Sequence, residues 1–337
     1  MPRSAASLGA CLIAATLLAA GMARASEYRI SGAIRGPDFR WDYLTVDAKA
    51  RRLYMARVGG VTSVDLNSGG VTATLVASRL VHGVIPIGEA GMAVATNGLG
   101  DSVTLFEGAT GAVVAEIPTG KEPDAVVYEP VTGTIVTLNE GGRDATVIDL
   151  KTRAVLATIP LGGKPEFPAA DGAGLVYDNI EDRNEIAVID VAARKVVRHI
   201  PLAGCEEPTG LAYDAASGLL ISACGNGLAK VVDARSGAQV ASFAIGKAPD
   251  AVILDAGRRL AFIPSGGDGT LSVIAIGDSR SVKLVQVLKT RLGVRTGAVD
   301  PVTGNLYLPS ADFLKPTHGE WPPVAPGSFK LLVVSPR

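Results

Sequence analysis

The sequence predicts an all-β, seven-bladed β-propeller, and three observations support this prediction. Short β-rich segments end in an acidic residue, and these acids are spaced 42, 42, 41 and 43 residues apart, at Asp65, Glu107, Asp149, Asp190 and Asp233. Each repeat has room for four short strands, as in a propeller blade. The chain is also rich in turn formers: 40 Gly and 20 Pro make up roughly 18% of its 337 residues, against an ordinary share of about 12%.

Each repeat contains a predicted hairpin. The β-rich residues 103–107 are followed by a turn at 109–111, which contains Gly111, and then by a second β-rich run at 113–117. Two more short runs precede the hairpin of the next repeat, at 125–128 and 134–138, and residues 130–133 separate them. The pattern therefore indicates antiparallel strands of four to six residues.

The second strands of the repeats give the number of blades. Seven such strands are predicted, starting at Leu53, Met92, Thr134, Leu175, Leu219, Leu260 and Leu306. The last repeat has only three strands, so we assign its fourth to residues 28–34 near the N-terminus. This arrangement would close the ring and leave no free sheet edge between the first and last blades. A pair of β-sandwiches, the alternative fold, predicts no fixed period near 42 residues.

The N-terminus has the features of a secretory signal. Arg3 is followed by an apolar run at residues 8–20 and by Ala23-Arg24-Ala25, with small residues where a signal peptidase cleaves. We expect residues 1–25 to be removed, and residues 26–337 to form one propeller domain that is periplasmic or secreted. The apolar run is too short to span a membrane, and most of it follows Cys11, which argues against a lipid anchor there.

The overall charge gives no indication of a strongly charged partner. The full chain has 32 basic and 33 acidic residues, and loss of Arg3 and Arg24 with the signal leaves a net charge of −3. A chain of this charge has no general attraction for nucleic acid or for an anionic membrane. No second apolar stretch is long enough to span a membrane, and we expect a monomer.

Two short motifs recur in several repeats. One is a Gly-x-x-Pro before the first strand, at residues 120–123 and 246–249; the other ends the second strand with Asn, at Asn97, Asn139 and Asn179. Both resemble motifs of the YVTN β-propeller repeat family, which includes the YncE-like periplasmic proteins. The resemblance covers the mature chain and implies a propeller. It does not imply one activity, because similar propellers include lactonases and haem-binding reductase domains. The other blades lack the Asn, which indicates a loop cap rather than a shared catalytic group.

A ring of polar side chains is predicted at one mouth of the central channel. Alignment of the first strands gives one equivalent position in each blade: Asp42, His82, Asp124, Glu166, Thr209, Asp250 and Arg295. Two interpretations stay open for the acids. They can accept hydrogen bonds from their own loops, or several can point inward and bind a cation, a basic ligand or a divalent metal ion. The metal ligands we consider are Asp124, Glu166 and Asp250.

Further residues are expected on the same face. Trp41 and Phe167 neighbour ring positions and could form an aromatic wall or pack between blades. The Pro-rich insertion at 312–328 carries His318 and Trp321 and could cover the channel mouth or act only as a plug. His82 and His318 are the candidate catalytic residues. Because export leads to an oxidising compartment, we predict a disulfide between Cys205 and Cys224.

These features favour an exported binding or scaffold protein that engages an unknown small ligand or protein partner at the ring face. The alternative is a metal-assisted, lactonase-like hydrolase or lyase at the channel mouth, and a divalent metal ion is the one cofactor considered. Motifs for covalent haem attachment, for serine hydrolases and for zinc proteases are absent from the sequence. Nucleic-acid binding would need a basic rim formed by Lys121, Lys164 and Lys247, and the acidic ring argues against it.

Overall fold

The computed structural model of the chain describes residues 27–88, 91–277, 280–315 and 322–337. These residues form seven four-stranded antiparallel sheets arranged as the blades of a ring. The predicted seven-bladed propeller is confirmed. The expected signal peptide lies outside the described residues. Within them, no helix combines the length and the hydrophobicity needed to span a membrane.

The strands are numbered along the chain. Blade 1 contains β2 (Trp41–Asp47), β3 (Arg52–Arg57), β4 (Gly60–Asp65) and β5 (Val71–Ala77). Blade 2 contains β6 (Val84–Ile87), β7 (Met92–Asn97), β8 (Ser102–Glu107) and β9 (Val113–Pro118). Blade 3 contains β10 (Pro123–Glu129), β11 (Thr134–Asn139), β12 (Asp144–Asp149) and β13 (Ala154–Pro160).

The remaining blades repeat this order. Blade 4 contains β14 (Pro165–Ala170), β15 (Leu175–Ile180), β16 (Glu185–Asp190) and β17 (Lys195–Pro201), with a short 3-10 turn at Glu181–Arg183. Blade 5 contains β18 (Pro208–Asp214), β19 (Leu219–Cys224), β20 (Leu228–Asp233) and β21 (Gln239–Ala244). Blade 6 contains β22 (Ile253–Asp255), β23 (Leu260–Ser265), β24 (Thr270–Ile276) and β25 (Val282–Lys289). Blade 7 contains β26 (Ala298–Val299), β27 (Leu306–Ser310), β28 (Lys330–Pro336) and β1 (Tyr28–Arg35).

Both ends of the chain meet in blade 7. Strand β1 pairs antiparallel with β28, from Tyr28 opposite Pro336 to Arg35 opposite Lys330. The buried ring of Tyr28 packs edge-on against Phe262 of blade 6, with ring centroids 4.8 Å apart. The N-terminal strand therefore completes the last blade, as predicted from the missing strand, and also contacts the preceding blade.

Burial within each blade depends on the position of the strand. Second strands such as β11 are buried along their whole length, because neighbouring blades cover both faces. The outermost strand β25 alternates between half-buried and exposed residues, because it lies at the rim of its blade and only alternate side chains reach the cores between blades. Continuous apolar runs in the middle strands and alternating runs outside therefore follow from the packing of the blades.

The periodic acids at the ends of the third strands cap turns. Asp65 Oδ1 accepts hydrogen bonds from the Asn67 and Ser68 amides at 2.9 and 2.8 Å. Asp149 and Asp233 accept corresponding bonds at the same place in their own blades. These amide bonds lower the pKa of all three carboxyl groups. The repeat that reveals the fold is therefore structural, and function must be sought elsewhere.

Candidate functional site

The seven predicted ring positions lie at or just before the start of the innermost strands. These strands contact one another from blade to blade, and the last contacts the first. Hydrogen bonds also connect neighbouring blades here: Tyr43 N donates to His82 O at 3.2 Å, and Thr296 Oγ1 donates to Asp42 O at 2.9 Å. Thr209 Oγ1 donates to Pro249 O of the next blade at 3.3 Å. Thr209 thus joins two blades.

Three ring residues from consecutive blades come into direct contact. Nδ1 of His82 lies 2.7 Å from Oδ2 of Asp42 and 3.1 Å from Oδ1 of Asp124. We call this group the His82 cluster. The side chains of His82, Asp42 and Asp124 are only 24%, 21% and 12% exposed, respectively. One imidazole nitrogen is therefore shared between two partly buried carboxylates.

The two carboxylates control the charge of His82. Burial alone would lower the pKa of this imidazole, but the hydrogen bond that Nδ1 donates to Asp42 and the charges of Asp124 and Asp42 outweigh burial and raise the pKa to about 9. His82 is consequently a cation at neutral pH, and a cation is a poor general base. The position is better suited to holding a positive charge, either its own proton or a bound ion.

The other side of the mouth contains buried carboxyl groups. Asp250 Oδ2 lies 3.1 Å from Arg295 Nε. Burial raises the pKa of Asp250 to about 7 although Arg295 opposes the shift, and burial likewise raises the pKa of Asp124 to about 7 against the opposing charge of His82. Burial and the neighbouring charges of Asp124 and Asp250 raise the pKa of Glu166 well above its usual value. The mouth therefore has an excess of acids in a poorly hydrated setting.

The metal-ligand set considered from the sequence differs from the set that the structure groups together. Among the described residues, the ligand atoms of Asp42, His82 and Asp124 all lie within 4.8 Å of one another. Glu166 and Asp250 are not members of that group. The His82 cluster comes from the consecutive blades 1, 2 and 3, whereas Asp250 belongs to blade 6. Only the ring residues of the blades next to His82 lie close enough to its imidazole to share a metal ion with it. The alignment gave the ring positions but not these distances.

An aromatic pair lies directly below the ring. Tyr43 and Phe167 each follow a ring residue in sequence, and their ring centroids are 4.5 Å apart although they come from blades 1 and 4. Tyr43 is buried, and its hydroxyl donates to Asp250 O at 3.2 Å. In blades 2, 3, 5 and 6 the residue that directly follows the ring residue is small: Gly83, Ala125, Gly210 and Ala251. Two large rings fill the space that these residues leave, so an aromatic contact crosses the channel next to the ring.

Trp41 lies beside a small cavity rather than over the channel. Its ring contacts Phe313 and Phe329, with centroids 5.8 and 5.3 Å away. The cavity has a volume of about 200 Å³ and opens between blades 1 and 7. Its lining consists of Arg40, Trp41, Gly293, Arg295, Phe313 and Pro322.

The remaining predicted residues divide into two groups. His318 and Trp321 lie outside the described residues, so the structure does not place them. Cys205 and Cys224 are both buried in blade 5 and form a disulfide in the structure, with Cα atoms 5.4 Å apart. The covalent link joins the loop before β18 to the end of β19. It braces the same face of the propeller without contributing to the His82 cluster.

A basic rim for nucleic acid gains little support. The ammonium group of Lys164 lies 3.1 Å from Glu140 Oε1 and also pairs with Glu181. Two acidic partners thus surround one of the three lysines that such a rim would need. Contact with a phosphate backbone would have to displace them.

Sequence reasoning missed Tyr43 next to the ring, and Arg40 and Phe313 beside the cavity. Tyr43 could have been found by comparing the position after each ring residue, because two aromatic residues stand there among mostly small ones. Arg40 had no comparable signal, because its place beside the cavity depends on how the loop between β1 and β2 folds.

Comparison with known proteins supports the architecture alone. No family model matches the chain, and a search of curated proteins found no similar sequence. Among solved structures, a chain of Kuenenia stuttgartiensis hydrazine synthase has a TM-score of 0.70 and 16% sequence identity, covering 83% of this chain and 95% of that one. The chain is a β-propeller. At this identity the likeness carries no activity across, and the resemblance to YVTN repeats stays a prediction.

Proposed function

We propose that this chain is a YVTN/YncE-like binding propeller whose channel mouth binds a divalent metal ion through the His82 cluster. The observation that carries the proposal is the approach of one imidazole nitrogen and two carboxylate oxygens to within 4.8 Å of one another. Mixed nitrogen and oxygen ligands suit first-row ions such as Mn²⁺ and Zn²⁺ better than Mg²⁺ or Ca²⁺, which prefer oxygen alone.

The surrounding charges favour a cation at this place. Asp42, Asp124, Glu166 and Asp250 bring four carboxyl groups to the mouth, while His82 and Arg295 supply the nearby positive charges described above. Burial makes ionisation of Asp124 and Glu166 costly. A bound cation would stabilise the ionised carboxylates.

Metal binding at this position must displace a proton. The Nδ1 atom that faces both carboxylates is also the atom that would ligate the ion, and metal ligands must be deprotonated. Affinity should therefore rise with pH across the neutral range. Three protein ligands do not complete the coordination shell of such an ion, which leaves further positions for water or a ligand.

The test is metal binding by the full chain, measured by calorimetry after removal of adventitious metal. We expect one Mn²⁺ or Zn²⁺ per chain, bound more tightly than Mg²⁺. Asp42→Asn and His82→Gln should each weaken binding by about 10-fold to 100-fold. Glu206→Gln is the matched control, because it removes an exposed carboxylate from another loop on the same face. Equal affinities in all four proteins, or no binding at millimolar metal, would refute the proposal.

A metal-assisted hydrolase or lyase is the second candidate function. The observation that favours it is Asp250, a buried carboxyl group whose pKa of about 7 suits a general base near neutral pH. A metal ion bound at the His82 cluster would supply Lewis-acid chemistry. Lactone and ester hydrolysis by the metal-loaded protein, compared with its Asp250→Asn variant, tests this function. Metal binding without turnover would leave the binding function alone.

We also infer that the chain is exported and that its mature form begins near Ser26. The motif at residues 1–25 and the buried cysteine pair support this inference, because a structural disulfide persists in oxidising compartments. Intact mass and N-terminal sequencing of protein from the periplasmic fraction of a bacterial host test it. A chain retained in the cytoplasm with residues 1–25 still attached would contradict export.

A further inference from the structure

We propose that the cavity between blades 1 and 7 binds a small organic carboxylate with an apolar ring. This site is separate from the His82 cluster, and it would take a ligand of the opposite charge. The two sites share no residue, so one can fail while the other stands. Four features of the cavity carry the inference: its two guanidinium groups, its aromatic wall, its glycine and the hydrogen-bonded backbone that holds Phe313.

Two arginines provide the positive charge. Arg40 comes from the loop between β1 and β2, and Arg295 comes from the loop before β26; both line the cavity. They lie close enough that the charge of Arg295, after burial as the larger cause, lowers the pKa of Arg40. Arg295 contacts Asp250 through Nε. A carboxylate placed between the two guanidinium groups would relieve their mutual repulsion and accept the paired hydrogen bonds that guanidinium groups form well.

The rest of the lining is apolar. The rings of Trp41 and Phe313 lie 5.8 Å apart with an angle of 34° between their planes, so they form one continuous wall rather than a slot. Pro322 adds a saturated ring that has no backbone N–H. Inorganic anions would leave this apolar surface in contact with water. A ligand with both a carboxylate and a ring would cover the wall and meet the arginines together.

Gly293 keeps the cavity open. Its φ of 82° is in the left-handed region, and a Cβ at this position would lie 3.0 Å from Phe313 Cε2. Any larger residue would therefore be strained and would also displace the aromatic wall. The volume of about 200 Å³ matches a ligand with a single ring and is below the usual range of about 300–1000 Å³ for larger ligands.

The outer wall is held in place by backbone hydrogen bonds. Phe313 and Val324 form an isolated antiparallel β-bridge. Two hydrogen bonds flank it: Leu314 N donates to Pro323 O at 2.8 Å, and Ala325 N donates to Asp312 O at 2.8 Å. Phe313 is still 42% exposed. Its ring therefore has a fixed base and an open face toward the cavity, as a binding surface requires.

Calorimetry with benzoate tests the proposal, with benzamide as a neutral ligand of the same shape and acetate as an anion without a ring. We expect benzoate to bind one site per chain, at least about tenfold more tightly than either comparison ligand. Arg40→Gln and Phe313→Ala should each weaken benzoate binding by about tenfold or more. Arg79→Gln, which removes an exposed arginine from another loop on this face, should leave it unchanged.

Each other outcome counts against the proposal. Equal binding of benzoate and benzamide would exclude recognition of the carboxylate, and equal binding of benzoate and acetate would exclude the aromatic wall. Tighter binding of phenyl phosphate than of benzoate would show that the cavity recognises a phosphate, and it would overturn the proposal of a carboxylate ligand. Thermal melts check the fold of each variant. If Arg40→Gln does not fold, the benzoate affinity of Phe313→Ala alone tests the proposal, because the Phe313 side chain is largely outside the core. The benzoate titration is run on metal-free protein, which separates this test from the metal test.

Discussion

The ring of Tyr43 in blade 1 packs against the ring of Phe167 in blade 4, with centroids 4.5 Å apart across the central channel. Contacts between opposite sides of a propeller ring require side chains long enough to reach the axis. The small residues at the same step of the other blades make room for this pair. Through this contact and through the hydrogen bond from its hydroxyl to Asp250 O, Tyr43 connects three blades next to the ring carboxylates.

Removal of the Tyr43 side chain should therefore be costly. Tyr43→Ala is expected to lower the free energy of unfolding by about 3–5 kcal/mol, because it deletes a large buried ring. Tyr43→Phe should cost only about 1 kcal/mol, since it removes the hydroxyl that donates to Asp250 O. Urea unfolding measures both values. If the two variants are equally stable, the packing of the ring on Phe167 contributes nothing.

The buried acids of the mouth predict a dependence of stability on pH. The pKa of Asp250 rises from 3.8 to about 7 on folding, chiefly through burial, and burial raises that of Glu166 as well. The folded chain thus binds protons more tightly than the unfolded chain, so these groups make the free energy of unfolding fall as pH rises from about 4 to about 7. Asp250→Asn should flatten this slope.

Asp300 is the control with the opposite sign. Burial opposes ionisation of Asp300, but hydrogen bonds from Arg51 and Thr303 outweigh it and lower the pKa of the carboxyl group. Its contribution is present above the unfolded pKa and is lost as pH falls through the folded pKa. Asp300→Asn should thus lower stability at pH 7 and leave the slope between pH 5 and 7 nearly unchanged. Thermal melts at a series of pH values measure the stability of both variants. If Asp250→Asn kept the full dependence of stability on pH, the assignment of that dependence to Asp250 would be wrong.

The Cys205–Cys224 link should stabilise the folded chain by restricting the unfolded one. The cysteines are 19 residues apart in sequence, and a loop of this size corresponds to about 3 kcal/mol in the chain-entropy model. A Cys205→Ser, Cys224→Ser double variant is expected to lose about that amount in urea unfolding. The reduced wild-type protein should match the variant. Thiol titration of the exported, unfolded chain should find no free thiol, and two free thiols would show that the pair does not form there.

The fold could be predicted from the sequence because blades repeat local features that the sequence displays directly. The acids of the third strands mark turn after turn, since each caps its own loop as Asp65 does. The site was harder. The alignment selected His82 as a ring position, but the approach of Asp42 and Asp124 to its Nδ1 depends on how neighbouring blades twist against each other. Arg40 and Phe313 come from loops without a repeat, so nothing in the periodic pattern indicated the cavity that they line.

Ring closure by the N-terminal strand gives a further prediction. Gln286 of blade 6 accepts a hydrogen bond from Tyr28 N at 2.9 Å and donates one to Tyr28 O at 2.8 Å, so β1 is bonded to the neighbouring blade as well as to β28. A chain that begins at residue 36 would expose the unpaired edge of β28. We expect it to be less stable than the mature protein and to self-associate, as measured by thermal melts and light scattering.

Addition of a synthetic peptide with the sequence of residues 27–36 separates a lost strand from general misfolding. The peptide should restore a monomer and raise the melting temperature, because β1 can pair with β28 without a covalent link to the ring. A peptide with Tyr28→Ala is the matched control and should restore less, since it lacks the ring that packs on Phe262. A truncated chain that stays monomeric and melts at the temperature of the mature protein would show that the other six blades close the propeller without β1.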